Sequence, residues 1–336
     1  MKAIAPGKLI LTGEHAVVYG KPAIAMAVDR SAQSIIVPGG AHDEISFEMQ
    51  DFSQQESFTV RALRELKNRV MKNYRLFLEG RLGIREVLYK PVELFQFAFI
   101  TILDGLHLRV ADGFKIQLRS NIPIGCGMGS SAATVLSTLR AIGHYFRVDF
   151  RPEWYQAYSL ETENLQHGHA SGVDTYISLH GGCARFQEGQ AEKIPLPRMP
   201  MHLINTGTPL TTTGECVTHV RERFSQSRIW EDFEAITRAM EIALARNDTE
   251  EIQRLIRENH RLLSEIGVVP QKVGGFVAEV EKWGAAAKIC GAGATVGDNA
   301  GIVLVCAEKA AKELCDRYAY ELMSVRCEPL GARIVG

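Results

Sequence analysis

The most informative segment of the chain reads Pro123-Ile124-Gly125-Cys126-Gly127-Met128-Gly129-Ser130-Ser131-Ala132-Ala133. Before it, apolar and polar residues alternate over 114–118, which predicts a strand; after it, apolar residues recur at helical spacing over 132–146. A glycine loop between a strand and a helix directs backbone N–H groups and the positive end of the helix dipole at one point. The segment therefore predicts a cradle for polyphosphate, although glycine spacing alone leaves open a tight strand-to-helix turn.

Two common phosphate-binding patterns do not match this loop. No lysine precedes the serines, as a Walker A sequence requires. The third glycine follows the second by two residues, whereas the dinucleotide fingerprint places it three residues later. The loop therefore indicates another class of phosphate site.

Composition is typical of a soluble enzyme. The chain has 336 residues, of which 46% are hydrophobic, so it can bury one large core or, as we expect, two. A formal net charge of -1 gives no general attraction to nucleic acid or membrane. The N-terminal residues lack a signal-peptide core, and no apolar run is long enough to span a bilayer, which predicts a cytoplasmic protein. Seven cysteines form no C-x-x-C pair, so we expect buried thiols rather than disulfides or a zinc cluster.

The pattern along the chain predicts mixed strands and helices, an α+β fold. Residues 60–79 look helical, and Pro152 opens a further helix. The proline-rich run 195–200 is the best candidate for a hinge, so we divide the chain into domains at 1–195 and 196–336. Beyond it, two amphipathic helical patterns over 228–246 and 249–266 flank a helix stop and a new N-cap.

A second segment near the N-terminus reads Pro6-Gly7-Lys8-Leu9-Ile10-Leu11-Thr12-Gly13-Glu14-His15-Ala16-Val17-Val18-Tyr19-Gly20. Together with the glycine loop and Gly172-Val173-Asp174, it resembles the GHMP small-molecule kinases, and within them the mevalonate kinases. The resemblance implies a two-domain fold, with a ribosomal S5-like N-terminal domain, a ferredoxin-like, helix-rich C-terminal domain and an active site in the cleft between them. It also makes a homodimer plausible.

The resemblance assigns Asp174 as the base that takes the proton of the acceptor hydroxyl. An aspartate is a weak base towards an alcohol, so the transfer must be late, when bond formation to phosphorus has acidified the hydroxyl. Lys8 matches the N-terminal lysine of the family and is expected to pair with Asp174; the alternative is a surface lysine at a strand end. His167 and His169 lack a third ligand at metal-site spacing, and we expect them to line the cleft.

The cosubstrate ATP and its Mg²⁺ are expected at the glycine loop, because phosphoryl transfer needs a phosphate cradle and a divalent ion. The predicted nucleotide-binding residues are Pro123, Gly125, Gly127, Met128, Gly129, Ser130, Ser131 and Ala132. By resemblance, Ser131 and Glu163 match the metal-contacting serine and glutamate, and a carboxylate is a ligand that Mg²⁺ prefers. Taken singly, they could equally be a helix cap and a solvated helix charge.

Four residues are candidates for acceptor recognition: Glu14, His15, Thr212 and Gly293. The resemblance places Glu14 and His15 against mevalonate, and His15 favours an unphosphorylated acceptor because related phosphomevalonate kinases tend to carry tyrosine there. Thr212 lies in a run of three threonines, which permits a register error and is equally compatible with a strand edge.

The main departure from the family lies in the third glycine segment. It reads Lys288-Ile289-Cys290-Gly291-Ala292-Gly293-Ala294-Thr295-Val296-Gly297-Asp298-Asn299-Ala300-Gly301, without the usual run of four glycines. Since an aspartate facing polyphosphate would be repelled, we expect Asp298 and Asn299 to point away from the phosphates, while the backbone near Gly293 still approaches the cleft.

The resemblance therefore implies ATP-dependent phosphorylation of mevalonate to 5-phosphomevalonate in isoprenoid precursor synthesis. One alternative is a kinase of the same fold acting on a related hydroxy acid, phosphomevalonate or a sugar. Another is a nucleotide-binding sensor without turnover, which the retained Lys8, Ser131, Glu163 and Asp174 oppose.

Overall fold

A computed structural model of the chain describes residues 1–41, 43–49, 54–309 and 311–335. In these residues it contains an eight-stranded and a four-stranded β-sheet. The strands are β1 (Lys2–Thr12), β2 (Ala23–Pro38), β3 (Glu44–Met49), β4 (Gln54–Thr59), β5 (Phe114–Ser120), β6 (Cys183–Gln187), β7 (Gln190–Ile194), β8 (Met201–Asn205), β9 (Ala286–Ile289), β10 (Ile302–Cys306), β11 (Glu321–Ser324) and β12 (Arg333–Val335). The helices are α1 (Val60–Leu78), α2 (Val92–Gly105), α3 (Ser130–Tyr145), α4 (Pro152–His167), α5 (Val173–His180), α6 (Thr213–Phe224), α7 (Ile229–Arg246), α8 (Thr249–Glu265), α9 (Gln271–Lys282) and α10 (Lys312–Tyr318). Short 3-10 turns span Ala16–Tyr19 and Ile84–Glu86.

The larger sheet has the strand order β12-β1-β2-β5-β3-β4, and β6 and β7 extend it from β2. Its described pairs are antiparallel except β3 with β5. The chain leaves this sheet after Ile194 and returns to it at the end, where Val335 lies opposite Lys2. The division into domains at residue 195 stays a prediction.

The smaller sheet has the order β11-β8-β10-β9 and is entirely antiparallel. Since side chains alternate along a strand, its two faces enter different cores. Leu203 and Leu304 belong to the main core, which also contains the larger sheet with α2 and α3. Ile204 and Val303 belong to a second core formed with α6 to α10. The expected pair of large cores is present, and the smaller sheet separates them.

Local sequence explains where several predicted helices begin and end. Asn247 adopts left-handed geometry at the end of α7, with a φ of 53°. Asp248 caps α8 by accepting a hydrogen bond from the Glu251 amide at 3.1 Å, as the stop and N-cap pattern predicts. Pro152 occupies the first turn of α4, where its missing N–H costs nothing.

Helix α2 is buried nearly all round, since every residue from Val92 to Leu103 is buried. Its burial is explained by its position, with contacts to α1, α3 and α4. No helix in the described ranges combines the length and the apolar character needed to cross a membrane.

Candidate active site

The glycine loop connects β5 to α3. Gly125, Gly127 and Gly129 have φ angles of 71°, 80° and 68°, in a region that residues with side chains rarely adopt. Gly129 is the N-cap of α3, and a glycine has no side chain that could occupy the N–H groups of the first turn. The strand, loop and helix N-terminus predicted from the sequence are therefore confirmed.

An ion pair between Lys8 and Asp174 lies beside this loop. The Nζ atom of Lys8 is 3.1 Å from Oδ1 of Asp174 and donates a hydrogen bond to the Gly127 carbonyl at 3.0 Å. Lys8 is buried on β1, whereas 34% of the Asp174 side chain is exposed. Asp174 also lies in the first turn of α5, where the helix dipole favours a negative charge. The structure thus contains the predicted pair, with its carboxylate open to the cleft.

Gly129 brings the loop backbone against this pair. A Cβ atom at Gly129 would lie 3.1 Å from Cγ of Lys8 and 3.3 Å from Oδ2 of Asp174. A side chain is therefore disfavoured here by contact as well as by φ. The phosphate cradle and the carboxylate are immediate neighbours.

Ser131 and Glu163 form the second polar contact at this end of α3. The Ser131 hydroxyl donates to Oε2 of Glu163 at 3.0 Å, and Glu163 is buried. Its other oxygen, Oε1, is buried without a hydrogen-bond partner among the described residues. A buried carboxylate oxygen without a partner is costly, so it needs a proton, a water molecule or a cation. The donor set of a hydroxyl and a carboxylate fits Mg²⁺.

His167 is a neighbour of Glu163 that the sequence interpretation did not connect to it. Its Nε2 atom lies 3.5 Å from Oε2 of Glu163, one helical turn earlier on α4. Burial alone would lower the pKa of His167, but the hydrogen bond to Glu163 and the charges of Glu163 and Asp174 outweigh it and raise the pKa. The i,i+4 spacing was the available signal.

Ser131, His167 and Asp174 line a cavity of about 580 Å³. One end is formed by the glycine loop with Asp174 and His167. The other end is apolar and is lined by Met49, Leu88, Tyr89, Leu94, Phe95 and Leu118. Three basic residues also line the cavity: Arg85, Lys90 and Arg119. The apolar end was missed because α2, which supplies part of it, has no clear amphipathic pattern.

Glu14 and His15 lie next to the cavity lining, since His15 contacts Ala292, which is part of it. Both are buried, and neither is among the residues lining the cavity. The carboxylate of Glu14 pairs with Lys288 and accepts a hydrogen bond from Asn259 at 3.0 Å, so both of its oxygens are occupied. The assignment of Glu14 to acceptor recognition, which the resemblance implied, stays a prediction.

His15 has one ring nitrogen in use and one without a partner. Its Nε2 atom is 3.0 Å from the carbonyl of Ala292, which lines the cavity. A carbonyl only accepts, so Nε2 carries the proton and Nδ1, buried without a partner in the described residues, is an acceptor. Burial lowers the pKa of His15 despite the opposing effects of the Ala292 bond and the Glu14 charge, which favours the neutral ring.

Thr212 lines the cavity, but its hydroxyl has a structural function as well. It is the N-cap of α6, accepting from the Glu215 amide at 3.3 Å and donating to the Glu215 carboxylate at 3.0 Å. Its neighbour Thr211 accepts a hydrogen bond from the Thr295 amide at 3.2 Å. The threonine run therefore starts a helix and ties it to the third glycine segment; it is not a strand edge.

The third glycine segment packs against the glycine loop between β5 and α3. A Cβ atom at Gly127 would lie 3.0 Å from the Cys290 carbonyl, and one at Gly293 only 2.1 Å from the Val268 carbonyl. Asp298 is exposed, and neither Asp298 nor Asn299 lines the cavity. The expected close approach of the backbone and the outward position of Asp298 are both confirmed.

Comparison with known proteins gives consistent matches. Residues 93–182 match the model of the GHMP kinase N-terminal domain. The mevalonate kinase of Pyrococcus horikoshii is 31% identical over 302 residues, covering 87% of this chain and 85% of that protein. That of Archaeoglobus fulgidus is 31% identical over 299 residues, covering 87% and 89%. The crystal structure of the Methanococcus jannaschii mevalonate kinase superposes with a TM-score of 0.81 at 25% identity, covering 97% of this chain and 98% of that one.

The identity, the coverage of most of both chains and the family model over 93–182, which includes the glycine loop, agree with one another. The chain belongs to the mevalonate kinase family of GHMP kinases.

Proposed function

We propose that the protein transfers the γ-phosphoryl group of ATP to the primary hydroxyl of mevalonate, giving 5-phosphomevalonate for isoprenoid precursor synthesis. The observation that carries this proposal is the Lys8–Asp174 pair, held against Gly129 at the start of α3. A partly exposed carboxylate beside a phosphate cradle has the arrangement that an acceptor hydroxyl and a γ-phosphoryl group need.

Asp174 orients the acceptor hydroxyl and takes its proton. The base acts late, as the forming bond to phosphorus acidifies the hydroxyl. The Lys8 ammonium balances the charge of the carboxylate and holds it in place, because its second hydrogen bond anchors it to the Gly127 carbonyl. The same ammonium supplies positive charge close to the phosphoryl group while that group is being transferred.

The nucleotide phosphates bind across the loop from Pro123 to Ala132. Its positive-φ glycines let the backbone approach closely, and the first turn of α3 directs N–H groups and the helix dipole at the anion. The apolar end of the cavity, between β5 and α2, is suited to the flat face of the adenine ring.

Ser131 and Glu163 are the residues that would hold Mg²⁺. The buried oxygen of Glu163 without a partner and the neighbouring hydroxyl support this assignment. When bound, the ion neutralises negative charge on the phosphates. His167, whose pKa is raised, adds a further positive charge near this site when protonated.

Acceptor recognition falls to His15 and the loops around Thr212 and Gly293. Since Nδ1 of His15 is a hydrogen-bond acceptor, it is matched to a hydroxyl of mevalonate rather than to its carboxylate.

A cytoplasmic location and a homodimer are further proposals, drawn from the sequence and the resemblance. Sedimentation of the purified protein tests the dimer.

The deciding experiment measures ADP release from wild-type protein with mevalonate, phosphomevalonate, homoserine and galactose, and then from Asp174→Asn with the preferred acceptor. We expect mevalonate to be preferred, and Asp174→Asn to lose about 10²–10⁴-fold in kcat while binding ATP normally. A variant with more than half of the wild-type kcat would remove Asp174 from the mechanism. Preference for another acceptor would overturn the assignment of mevalonate.

A further inference from the structure

A buried polar cluster outside the cavity joins the N-terminal segment to the third glycine segment. It consists of Glu14, Asn259 and Lys288, each less than 2% exposed. Lys288 and Glu14 form an ion pair in which neither side chain is accessible to solvent. None of the three lines the cavity, so the mechanism above does not use them directly.

The cluster connects elements that are far apart in sequence. Lys288, on β9, also donates to the Ile10 carbonyl of β1 at 3.1 Å. Asn259, on α8, donates to Glu14 at 3.0 Å and accepts from the Gly13 amide at 3.3 Å. Two residues of the C-terminal half therefore hold the Ile10 carbonyl, the Gly13 amide and the Glu14 side chain.

His15 follows this anchored segment directly and is itself held by the C-terminal half. Its Nε2 donates to Ala292, four residues beyond Lys288. Its backbone has a φ of 59° and a ψ of -44°, which a residue with a side chain adopts only where the surroundings enforce it. The next residues form the 3-10 turn Ala16–Tyr19, where Tyr19 stacks on Trp230 of α7 with ring centroids 4.1 Å apart.

A buried ion pair is weak evidence for stability, because its desolvation cost offsets much of the attraction. Such a pair is better explained where it fixes one geometry among several. Here the fixed element is His15, between Glu14 on one side and Ala292 on the cavity wall on the other. Lys288 also ties β9 to β1 through its hydrogen bond to the Ile10 carbonyl.

We propose that Lys288 and Asn259 are positioning residues that act through Glu14 to hold His15 and the 290–293 loop for binding of the acceptor alcohol. This inference rests on the proposed function, since it assigns the acceptor end of the cleft to this cluster and the nucleotide end to the glycine loop. Disturbing the cluster therefore weakens acceptor binding selectively.

The test compares Lys288→Met with the double variant Glu14→Gln/Lys288→Met. The single variant leaves a buried unpaired carboxylate and is expected to lose thermal stability. The double variant removes both charges, and its glutamine still accepts the Asn259 hydrogen bond, so most of that stability returns. We expect KM for mevalonate to remain at least about tenfold raised in the double variant, with KM for ATP within about threefold of wild type.

A milder variant, Asn259→Ser, tests the same proposal if the Lys288 variants do not fold. Loss of its two hydrogen bonds is expected to raise KM for mevalonate by about three- to tenfold, again without a change in KM for ATP. An unchanged KM for mevalonate in well-folded variants, or a parallel rise in both KM values, would overturn the proposal. If the wild-type enzyme prefers another acceptor, the assignment of mevalonate fails, and the same comparison of KM values with that acceptor still decides the role of the cluster.

Discussion

Gly293 offers a sharp test of how closely the third glycine segment must fit. It has a φ of 69°, lines the cavity, and has the Val268 carbonyl where a side chain would begin. The same carbonyl accepts a hydrogen bond from the Ala294 amide at 2.9 Å, so it cannot simply turn away. Gly284 is the matched control: its φ is 80°, it lies outside the cavity, and no described atom is within 4 Å of a Cβ built there.

Both alanine variants must adopt left-handed backbone geometry, but only Gly293→Ala also brings a new Cβ atom against a backbone carbonyl. Left-handed geometry costs alanine about 1–2 kcal/mol at either site. At Gly293 the new Cβ would be 2.1 Å from the carbonyl oxygen, whereas real Cβ contacts essentially never fall under 3.0 Å, so the loop must shift by about 0.9 Å. A displacement of about 1 Å near the reacting groups can cost about 100-fold in rate, or about 2.7 kcal/mol.

The assay measures kcat/KM for mevalonate and the free energy of unfolding of both variants under one set of conditions. We expect Gly284→Ala to lose stability with kcat/KM within about twofold of wild type, and Gly293→Ala to lose about 100-fold in kcat/KM. If Gly293→Ala stays within about threefold of Gly284→Ala in kcat/KM, the close approach of this segment is not needed for turnover, and the reasoning is wrong.

Three further predictions concern charge. Ser131→Ala and Glu163→Gln should each raise the Mg²⁺ concentration needed for half-maximal activity, with overlapping effects in the double variant because both act on one ion; unchanged magnesium titrations in both single variants would contradict this. Asp298→Ala should leave KM for ATP within about threefold, because Asp298 is exposed and outside the cavity; a lost activity or a changed acceptor would give this loop a direct role. Burial lowers the pKa of His260 from 6.5 to about 4, and the positive charge of Lys288 adds to this effect. Between pH 6.5 and 4, the imidazole is therefore protonated in the unfolded chain and neutral in the folded one. The stability contributed by neutral His260 is therefore complete above pH 6.5 and falls by about 3 kcal/mol as the pH drops to 4, and His260→Gln should flatten that part of the unfolding curve; an equally steep curve would contradict it.

The parts of the site that local sequence determines were predictable. Three glycines at alternate positions between a strand pattern and a helix pattern predicted a loop that opens into a helix, and Gly125, Gly127 and Gly129 form it with positive φ. The pairing of Lys8 with Asp174 came from the resemblance rather than from spacing, and the structure contains it. The outward position of Asp298 followed from the repulsion between a carboxylate and polyphosphate.

What escaped prediction depends on contacts distant in sequence. The ion pair between Glu14 and Lys288 was not predicted, because nothing near Glu14 in the sequence reveals that partner. Helix α2 has no amphipathic face, since it is buried on all sides, and the apolar end of the cavity was missed with it. Thr212 was ambiguous for another reason: three adjacent threonines satisfy strand and N-cap preferences equally, and only the contact with Glu215 selects the cap.

The return of β12 to the edge of β1 has a consequence for the order in which the protein folds. During synthesis, β1 emerges long before β12, because almost the whole described chain separates the two strands. Until β12 is made, the edge of β1 at Lys2–Ile4 presents N–H and C=O groups to which the strand of another nascent chain can pair. Closing the sheet also brings together residues from opposite ends of the described chain, a type of contact associated with slow folding. The larger sheet is thus expected to pass through a long-lived, open-edged intermediate, in which aggregation competes with completion of the fold.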